Sequence, residues 1–495
     1  MTGSSRRAAL AVLCTGMLMI ILDGTIVTVA LPSVQAALGF SASGLAWVVN
    51  GYLVAFGGLL LLAGRLGDLL GRRRTFLAGL AVFTVASLAC GLATGPATLV
   101  VARFVQGAGG AAASAVVLGM VVTLFPEPRE RARAIGVVTF VGAAGASLGL
   151  VLGGVLTEAL GWRSVFLVNL PIGVLALAAA MRALPRDRGA GLAAGADVPG
   201  AVLVTAGLML GVATIVQAPD RGWTSPWTLG AAVAAVGLLA GFVLRQARAT
   251  RPLLPLRIFR SRAVSGANGA QVLMIAAALG FQFLSALFLQ QVLGYGAART
   301  GLAVLPVAVS IGLLSLGPAG RLAQRFGPRP VLLAGLGLLA VGMAVLARLP
   351  AQASYPVDLL PALLLLGAGA GLALPTVTAL AMSDATEADA GLASGLANTS
   401  QQIGGALGIS VLAAVAAART AALGGSGPVA LAGGFRLAFA LAGVLALGAL
   451  AVAAVALRTP ASHAVRRARP CPALPRSVLL RTPAPRSVTP RPCPA

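Results

Sequence analysis

The sequence predicts an all-α polytopic membrane protein, and three observations carry that expectation. Of its 495 residues, 58% are hydrophobic and 10% charged, with a mean hydropathy of +0.95, too little polar side chain to cover a soluble body of that length. Apolar runs of about 20 residues, each long enough to cross roughly 30 Å of hydrocarbon as a helix, recur from one end to the other. All 36 basic residues are Arg, and most fall in alternate short loops. That distribution reads as a topology signal and not as a nucleic-acid surface, despite the net charge of +24.

Bounded by charge, Pro or Gly clusters, the runs lie at about 8–31, 45–63, 75–93, 97–124, 132–157, 164–184, 198–217, 227–246, 263–290, 300–319, 330–348, 357–379, 391–418 and 434–457, which makes fourteen spans. The first follows Arg6 and Arg7 without a small-residue cleavage site, so it reads as a retained helix and not a signal peptide. Inside it lies Asp23, the one carboxylate within a span. A charged, unpaired carboxylate at that depth costs several kcal/mol; a raised pKa, a counter-charge or a watery cavity relieves the cost, and each points to function.

The second span leads into "GRLGDLLGRRR" at 64–74. Gly64 and Gly71 suit a tight turn, Asp68 can face a helix N-terminus, and Arg65, Arg72 and their neighbours hold the loop inside. A charge latch between helix bundles is the expected role. In the fourth span, "LVVARFVQGAGGAAA" at 99–113 contains Arg103, the one basic residue within a span, and Gln106. An Arg keeps its proton and must find an acceptor or water, and Asp23 is the obvious intramembrane partner.

The fifth span carries "GASLGLVLGG" at 145–154, whose Gly145, Gly149, Gly153 and Gly154 suggest a flat, bendable helix face. It also spells Gly-x-Ser-x-Gly around Ser147, but a hydrolase needs a strand-turn-helix and a His base, and the single His, His463, lies in the tail. No phosphate-binding GxxxxGK[ST] occurs, which excludes transport driven by ATP hydrolysis on this chain. "GAGAGLALP" at 367–375 has no βαβ unit around it. Cys14, Cys90, Cys471 and Cys493 show no disulfide framework or metal-ligand spacing, so neither metal nor cofactor is expected. Because polar side chains avoid lipid, Asn50, Asn268, Gln271, Gln282, Asn398, Gln401 and Gln402 are candidates to line a cavity, with helix packing the alternative for about half of them.

"GRLAQRFGPRP" at 320–330 repeats the 64–74 string at Gly, Arg, Leu, Gly and Arg, eight spans later. Two pseudo-symmetric six-helix bundles with two inserted helices between them give that offset. The expected organisation is therefore an N-terminal bundle at 1–184, inserted helices and loops at 185–262, a C-terminal bundle at 263–457, and a disordered Pro/Arg-rich cytoplasmic tail at 458–495. Basic residues in that tail suit anionic lipid headgroups, and an extension without a role is an equal reading. Arg asymmetry places both termini in the cytoplasm. The inside loop at 380–390 departs from it, with Asp384, Glu387 and Asp389 and no Arg.

These strings resemble the major facilitator superfamily, and within it the fourteen-span drug:proton antiporters, over about residues 8 to 457. "LDGTIVTVALP" at 22–32 is similar to that family's first-helix signature, 64–74 to the superfamily's loop motif, and Leu99, Arg103, Gln106 and Gly107 to its fourth-helix motif. "GASLGLVLGG" and then "WRSVFLVNLPIG" at 162–173 resemble the fifth-helix antiporter motif and the start of the sixth helix, except that Leu150 stands where that motif usually has Pro. The resemblance implies a proton-coupled exporter of lipophilic small molecules in a bacterial plasma membrane, working as a monomer. Asp23 and Arg103 would serve proton and substrate coupling, and Asp68 with Arg72 would gate. The rival readings are a proton-coupled importer of a polar nutrient and a non-transporting receptor or scaffold.

Overall fold

The computed structural model describes residues 3–41, 44–187, 189, 191, 197–249, 252–381, 390–425 and 427–457. The tail from 458 and the acidic stretch at 384–389 lie outside them, as does the side chain of Ser147. All regular structure among the described residues is helical, and thirteen helices there are long and apolar enough to cross a membrane.

Each apolar run becomes a helix. The first four are α1 (Gly3–Leu38), α2 (Ala46–Leu70), α3 (Arg72–Gly91) and α4 (Pro96–Leu124). Next comes α5 (Pro128–Leu160), whose described apolar stretch is Leu148–Leu160. The sixth run breaks at Val168 into α6 (Ser164–Leu167) and α7 (Asn169–Ala183). The pair α8 (Val198–Arg221) and α9 (Pro226–Arg248) follows, then α10 (Arg262–Leu287), extended by a π turn at Phe288–Val292. The chain closes with α11 (Ala297–Leu316), α12 (Pro318–Phe326), α13 (Pro328–Leu346), α14 (Leu360–Ala381), α15 (Ala390–Ala422) and α16 (Pro428–Ala456). Pro in the first turn of α4, α5, α8, α9, α13 and α16 starts these helices where a backbone N–H would have no partner.

Two local departures from the sequence reading concern the repeated string. The second helix continues to Leu70, so Gly64 and Asp68 lie on its last turns and Gly71 alone makes the turn, at φ 100°. In the second copy α12 ends at Gly327, at φ 89°, before α13. Both copies are thus helix, left-handed Gly, helix, a conformation in which a Cβ is strained.

Glycines set the closest helix crossings. At α3/α4, a Cβ on Gly79 would sit 2.8 Å from the Gly109 carbonyl, and one on Gly109 would sit 2.8 Å from that of Gly79. At α13/α14, Gly335 and Gly369 do the same at 2.7 and 2.6 Å. Backbones can approach this closely only where side chains are missing. The peripheral α9 leans on α8 and leaves Leu229, Val233, Val236 and Leu244 exposed, an apolar face suited to lipid.

Helices from the two halves of the chain meet along α2/α15 and α5/α11. Near the end that carries the α1–α2 loop, Gln290 Nε2 donates to the Val29 carbonyl at 2.9 Å, Gln291 to Gln35 at 3.2 Å, and the Ala298 N–H to Glu158 at 3.1 Å. This end also holds all four tryptophans, with the Arg163 and Arg221 guanidinium carbons 4.4 and 4.3 Å from the rings of Trp162 and Trp227. Interfacial aromatics of this kind sit at headgroup level.

Candidate functional site

The first charge that a span buries meets the second. Asp23 on α1 and Arg103 on α4 are 0% and 1% exposed, and Arg103 Nη1 lies 2.5 Å from Asp23 Oδ2. The other carboxylate oxygen accepts from Gln106 Nε2 and from Asn169 Nδ2, both at 2.8 Å. Three side-chain donors from two further helices therefore converge on one carboxylate. Removing either member of such a buried pair strands the other charge at a cost of roughly 3–5 kcal/mol.

The supports of the pair are equally specific. Arg103 Nε donates to the Val48 carbonyl at 2.9 Å, Nη1 also donates to Gln106 Oε1 at 2.6 Å, and the guanidinium lies 4.5 Å from the Tyr52 ring centroid. Gly51 and Gly107 let α2 and α4 come close enough for this, since a Cβ on Gly51 would sit 3.2 Å from the Val100 carbonyl. Gln106 Nε2 donates again to Ser87 Oγ at 2.8 Å, and the Cys90 thiol faces Gln106 Oε1 at 3.6 Å, which brings α3 into the network. Asn169 opens α7 at the break after Val168, and its own Oδ1 has no partner among the described residues. An acid, a permanent cation and three amide or hydroxyl side chains are thus joined in one network sealed from solvent.

Of these residues, sequence reasoning singled out Asp23, Arg103 and Gln106. It missed Ser87, Cys90, Tyr52 and Asn169. Asn169 carried a signal: an amide two residues before Pro171 inside an apolar run marks a helix break with a polar group at its start.

The antiporter-like glycines pack α5 on its neighbours. A Cβ on Gly145 would sit 2.9 Å from Leu18, one on Gly149 would meet the Thr25 side chain, and one on Gly153 would sit 2.5 Å from the Ile26 carbonyl, all on α1. Gly154 instead faces Ala297 and Ala298 of α11 across the seam between the halves. Leu150 is buried between them, its carbonyl against Gly301.

At the Gly71 turn the anion over the helix N-terminus is Asp187, where the sequence pointed to Asp68. The Asp187 carboxylate accepts the backbone N–H groups of Arg72 and Arg73, at 2.5 and 3.1 Å. Asp68, on the exposed flank of α2, makes only a 3.4 Å pair with Arg72 Nη2 across one helical turn. Arg72 Nη1 reaches the Gly119 carbonyl on α4 at 2.9 Å, and Arg73 Nη2 that of Met181 on α7 at 2.6 Å. Arg6, Asp68, Arg72, Asp187 and their neighbours line a cavity of about 530 Å³. Arg65 is half-buried on the last turns of α2.

The cavity candidates divide. Asn50 Nδ2 donates to Ser410 Oγ at 2.8 Å across α2/α15, and Asn268 accepts from Ser400 at 3.0 Å, so both join helices. Gln282, Gln401 and Gln402 are half-buried and Asn398 is exposed. Gln271 is 0% exposed, and neither of its amide atoms has a partner among the described residues.

A second Asp–Arg–Gln cluster, not foreseen, lies in the inserted pair. Asp197 Oδ1 accepts from Arg245 Nε at 2.5 Å and from the Gly200 N–H at 3.0 Å, and Oδ2 from Gln246 Nε2 at 2.8 Å. Gln246 Oε1 in turn accepts the Leu254 N–H at 3.0 Å. Burial pushes the Asp197 carboxyl up, but the bonds from Arg245, Gln246 and Gly200 outweigh it and hold the pKa below the usual carboxylate value. Among the described residues no group of His, Cys, Asp and Glu is placed to hold a metal ion.

Comparison with known proteins follows the same lines. Residues 13–409 match the Major Facilitator Superfamily. The chain is 40% identical over 476 residues to the cephamycin export protein CmcT of Amycolatopsis lactamdurans, covering 94% of each chain. It is 38% identical over 478 residues to the puromycin resistance protein pur8 of Streptomyces alboniger, covering 94% of this chain and 95% of the other. Among solved structures, an inward-facing bacterial homolog of the human lysosomal transporter Spinster matches with a TM-score of 0.66 and 16% identity, over 92% of this chain and 98% of that one.

Proposed function

This chain belongs to the Major Facilitator Superfamily, and from that premise we propose that it exports lipophilic small molecules across a bacterial plasma membrane in exchange for protons. Export is supported by the relatives named for cephamycin export and puromycin resistance, each matched over nearly the whole chain. The observation that carries the proton is the sealed Asp23–Arg103 pair with its Gln106 and Asn169 donors. A proton arriving at Asp23 must displace a donor from α4 or α7, so titration and helix arrangement are one event.

The framework that moves is two six-helix bundles, 1–184 and 263–457, with α8 and α9 inserted and α5 completing fourteen spans. The offset repeat supports it: Gly71 and Gly327 adopt the same left-handed turn, and the Gly–Gly crossing at α3/α4 recurs eight spans later at α13/α14. In alternating access the seams α2/α15 and α5/α11 rock around a central path. The Arg-rich end, with both termini, faces the cytoplasm; the tryptophan-bearing end faces outward. A single chain suffices.

Reconstituted vesicles decide the matter. Addition of a lipophilic antibiotic should drive proton movement opposite to drug movement, and Asp23→Asn should remove it. Drug flux with no proton movement would refute the exchange, and proton-coupled flux in the opposite direction would identify an importer.

A further inference from the structure

We infer that the transport path selects uncharged and zwitterionic lipophiles over dications, with Gln271 on α10 hydrogen-bonding them, an inference that rests on the export reading above. A cation leaving water needs an anion to meet it, because desolvating an unpaired charge costs several kcal/mol. Among the described acids only Asp23 lies in the middle of a span. Its side chain is 0% exposed, it already takes three donors, and Arg103 cancels its charge. All three of these partners sit on α4 and α7, within the first half of the chain.

The other described acids lie at helix ends. Glu158 accepts the Ala298 N–H, Asp358 accepts the Ser354 N–H at 2.7 Å, Asp197 is held by Arg245, and Asp68 and Asp187 flank the Gly71 turn. Apart from Glu158 at the outer end, the residues named where the halves meet are neutral: Asn50 with Ser410, Gln290 with the Val29 carbonyl, and Gln402 against Gly57. A cation is therefore unmatched inside.

What the interior offers instead is an amide. Gln271 is fully buried with both its donor and its acceptor unpartnered among the described residues, a state that costs about 1–3 kcal/mol per group until a partner arrives. Its direction follows from its neighbours. Val272 and Ala276 lie against Gly404 and Gly408 of α15, while Leu273 packs on Gly448 of α16. At roughly 100° per residue, Gln271 falls on a flank of α10 turned away from these α15 and α16 contacts, in one stripe with Gln282. A carbonyl, hydroxyl or amide on a lipophilic molecule satisfies both of its atoms; a quaternary ammonium satisfies neither.

The test measures binding apart from transport. Purified protein in lipid nanodiscs is titrated with three probes on one diphenyl scaffold: a neutral amide, the mono-quaternary ammonium and the bis-quaternary ammonium. Affinity should fall in that order, by at least tenfold from first to last. Equal or tighter binding of the bis-quaternary probe overturns the charge selection, whatever the flux. An intact order without flux of any probe counts against the export reading and leaves the selection standing. Gln271→Glu should raise affinity for the bis-quaternary probe several-fold. Gln271→Leu should weaken the amide at least fivefold but leave the bare diphenyl hydrocarbon unchanged; unchanged amide binding removes Gln271 from the site. Should either variant fail to insert, the wild-type order of the three probes decides.

Discussion

Two carboxylates in this protein are each held by an Arg and a Gln, yet their surroundings differ. Asp23 takes Arg103 and Gln106 from α4, and Asp197 takes Arg245 and Gln246 from α9. Around Asp23 every donor is a side chain, the guanidinium is 1% exposed, and α1, α2, α3, α4 and α7 meet. Around Asp197 one donor is the backbone N–H of Gly200, the Arg245 side chain is 42% exposed, and the acid simply caps α8. The same ingredients make a clasp at a helix end and an energetic trap at membrane depth. Depth and water access, and not the residue set, separate a structural ion pair from one that can do work.

The largest effect that would break this contrast is on transport. Asp23→Asn should lower proton-coupled drug flux in vesicles by at least ~100-fold with normal membrane insertion, whereas Asp197→Asn should stay within about twofold of wild type. Equal losses would mean that the inserted pair couples as well. The cations sharpen it: Arg103→Ala should match Asp23→Asn and Arg103→Lys should keep partial activity, since an ammonium supplies charge but not the fork that reaches both Asp23 and the Val48 carbonyl. Arg245→Lys should be near neutral, because its head already meets water.

Asp68 lies between the extremes. Half-exposed beside Arg72, it bears on the α2–α3 turn and not on the interior. Asp68→Asn should reduce turnover several-fold while substrate affinity, followed by titration, stays constant; lost affinity at unchanged turnover would contradict a gating role.

The smallest effect is on stability. Losing the Asp197 cap should cost about 1 kcal/mol, visible as a modest drop in the detergent unfolding temperature. Since folding lowers this carboxyl below its ordinary 3.8, its contribution is complete above that value and is lost as pH falls through the lower folded one. The gap between wild type and Asp197→Ala should therefore be constant from pH 5 to 8.

Helix placement was legible because a run of about 20 apolar residues has one solution in lipid. Asp23 and Arg103 were legible for the related reason that a lone charge in such a run needs an explanation. Ser87 was not, since a single hydroxyl is tolerated on any helix and its worth depends on which neighbour it faces; Asn169 carried only the signal of a helix break before Pro171, with nothing to say which group it meets. Asp187 replaced Asp68 over the N-terminus of α3 because the chain after α7 returns to the Gly71 turn, a long-range contact that no local pattern encodes. Asp197 did follow a local rule, an Asp before a helix with Pro199 in its first turn, but Arg245 and Gln246 reach it only through the α8–α9 packing.

A lone carboxylate in the spans also fixes the electrical character of the exchange. If Asp23 carries one proton inward per cycle, export of a neutral molecule moves net charge and draws on the membrane voltage, about 2.3 kcal/mol per 100 mV, enough for a concentration ratio of roughly fiftyfold. A monocation leaving against the same proton moves no net charge, and only the pH difference drives it, about tenfold per unit. Collapsing the voltage with potassium and valinomycin should thus weaken the accumulation of neutral cargo far more than that of singly charged cargo.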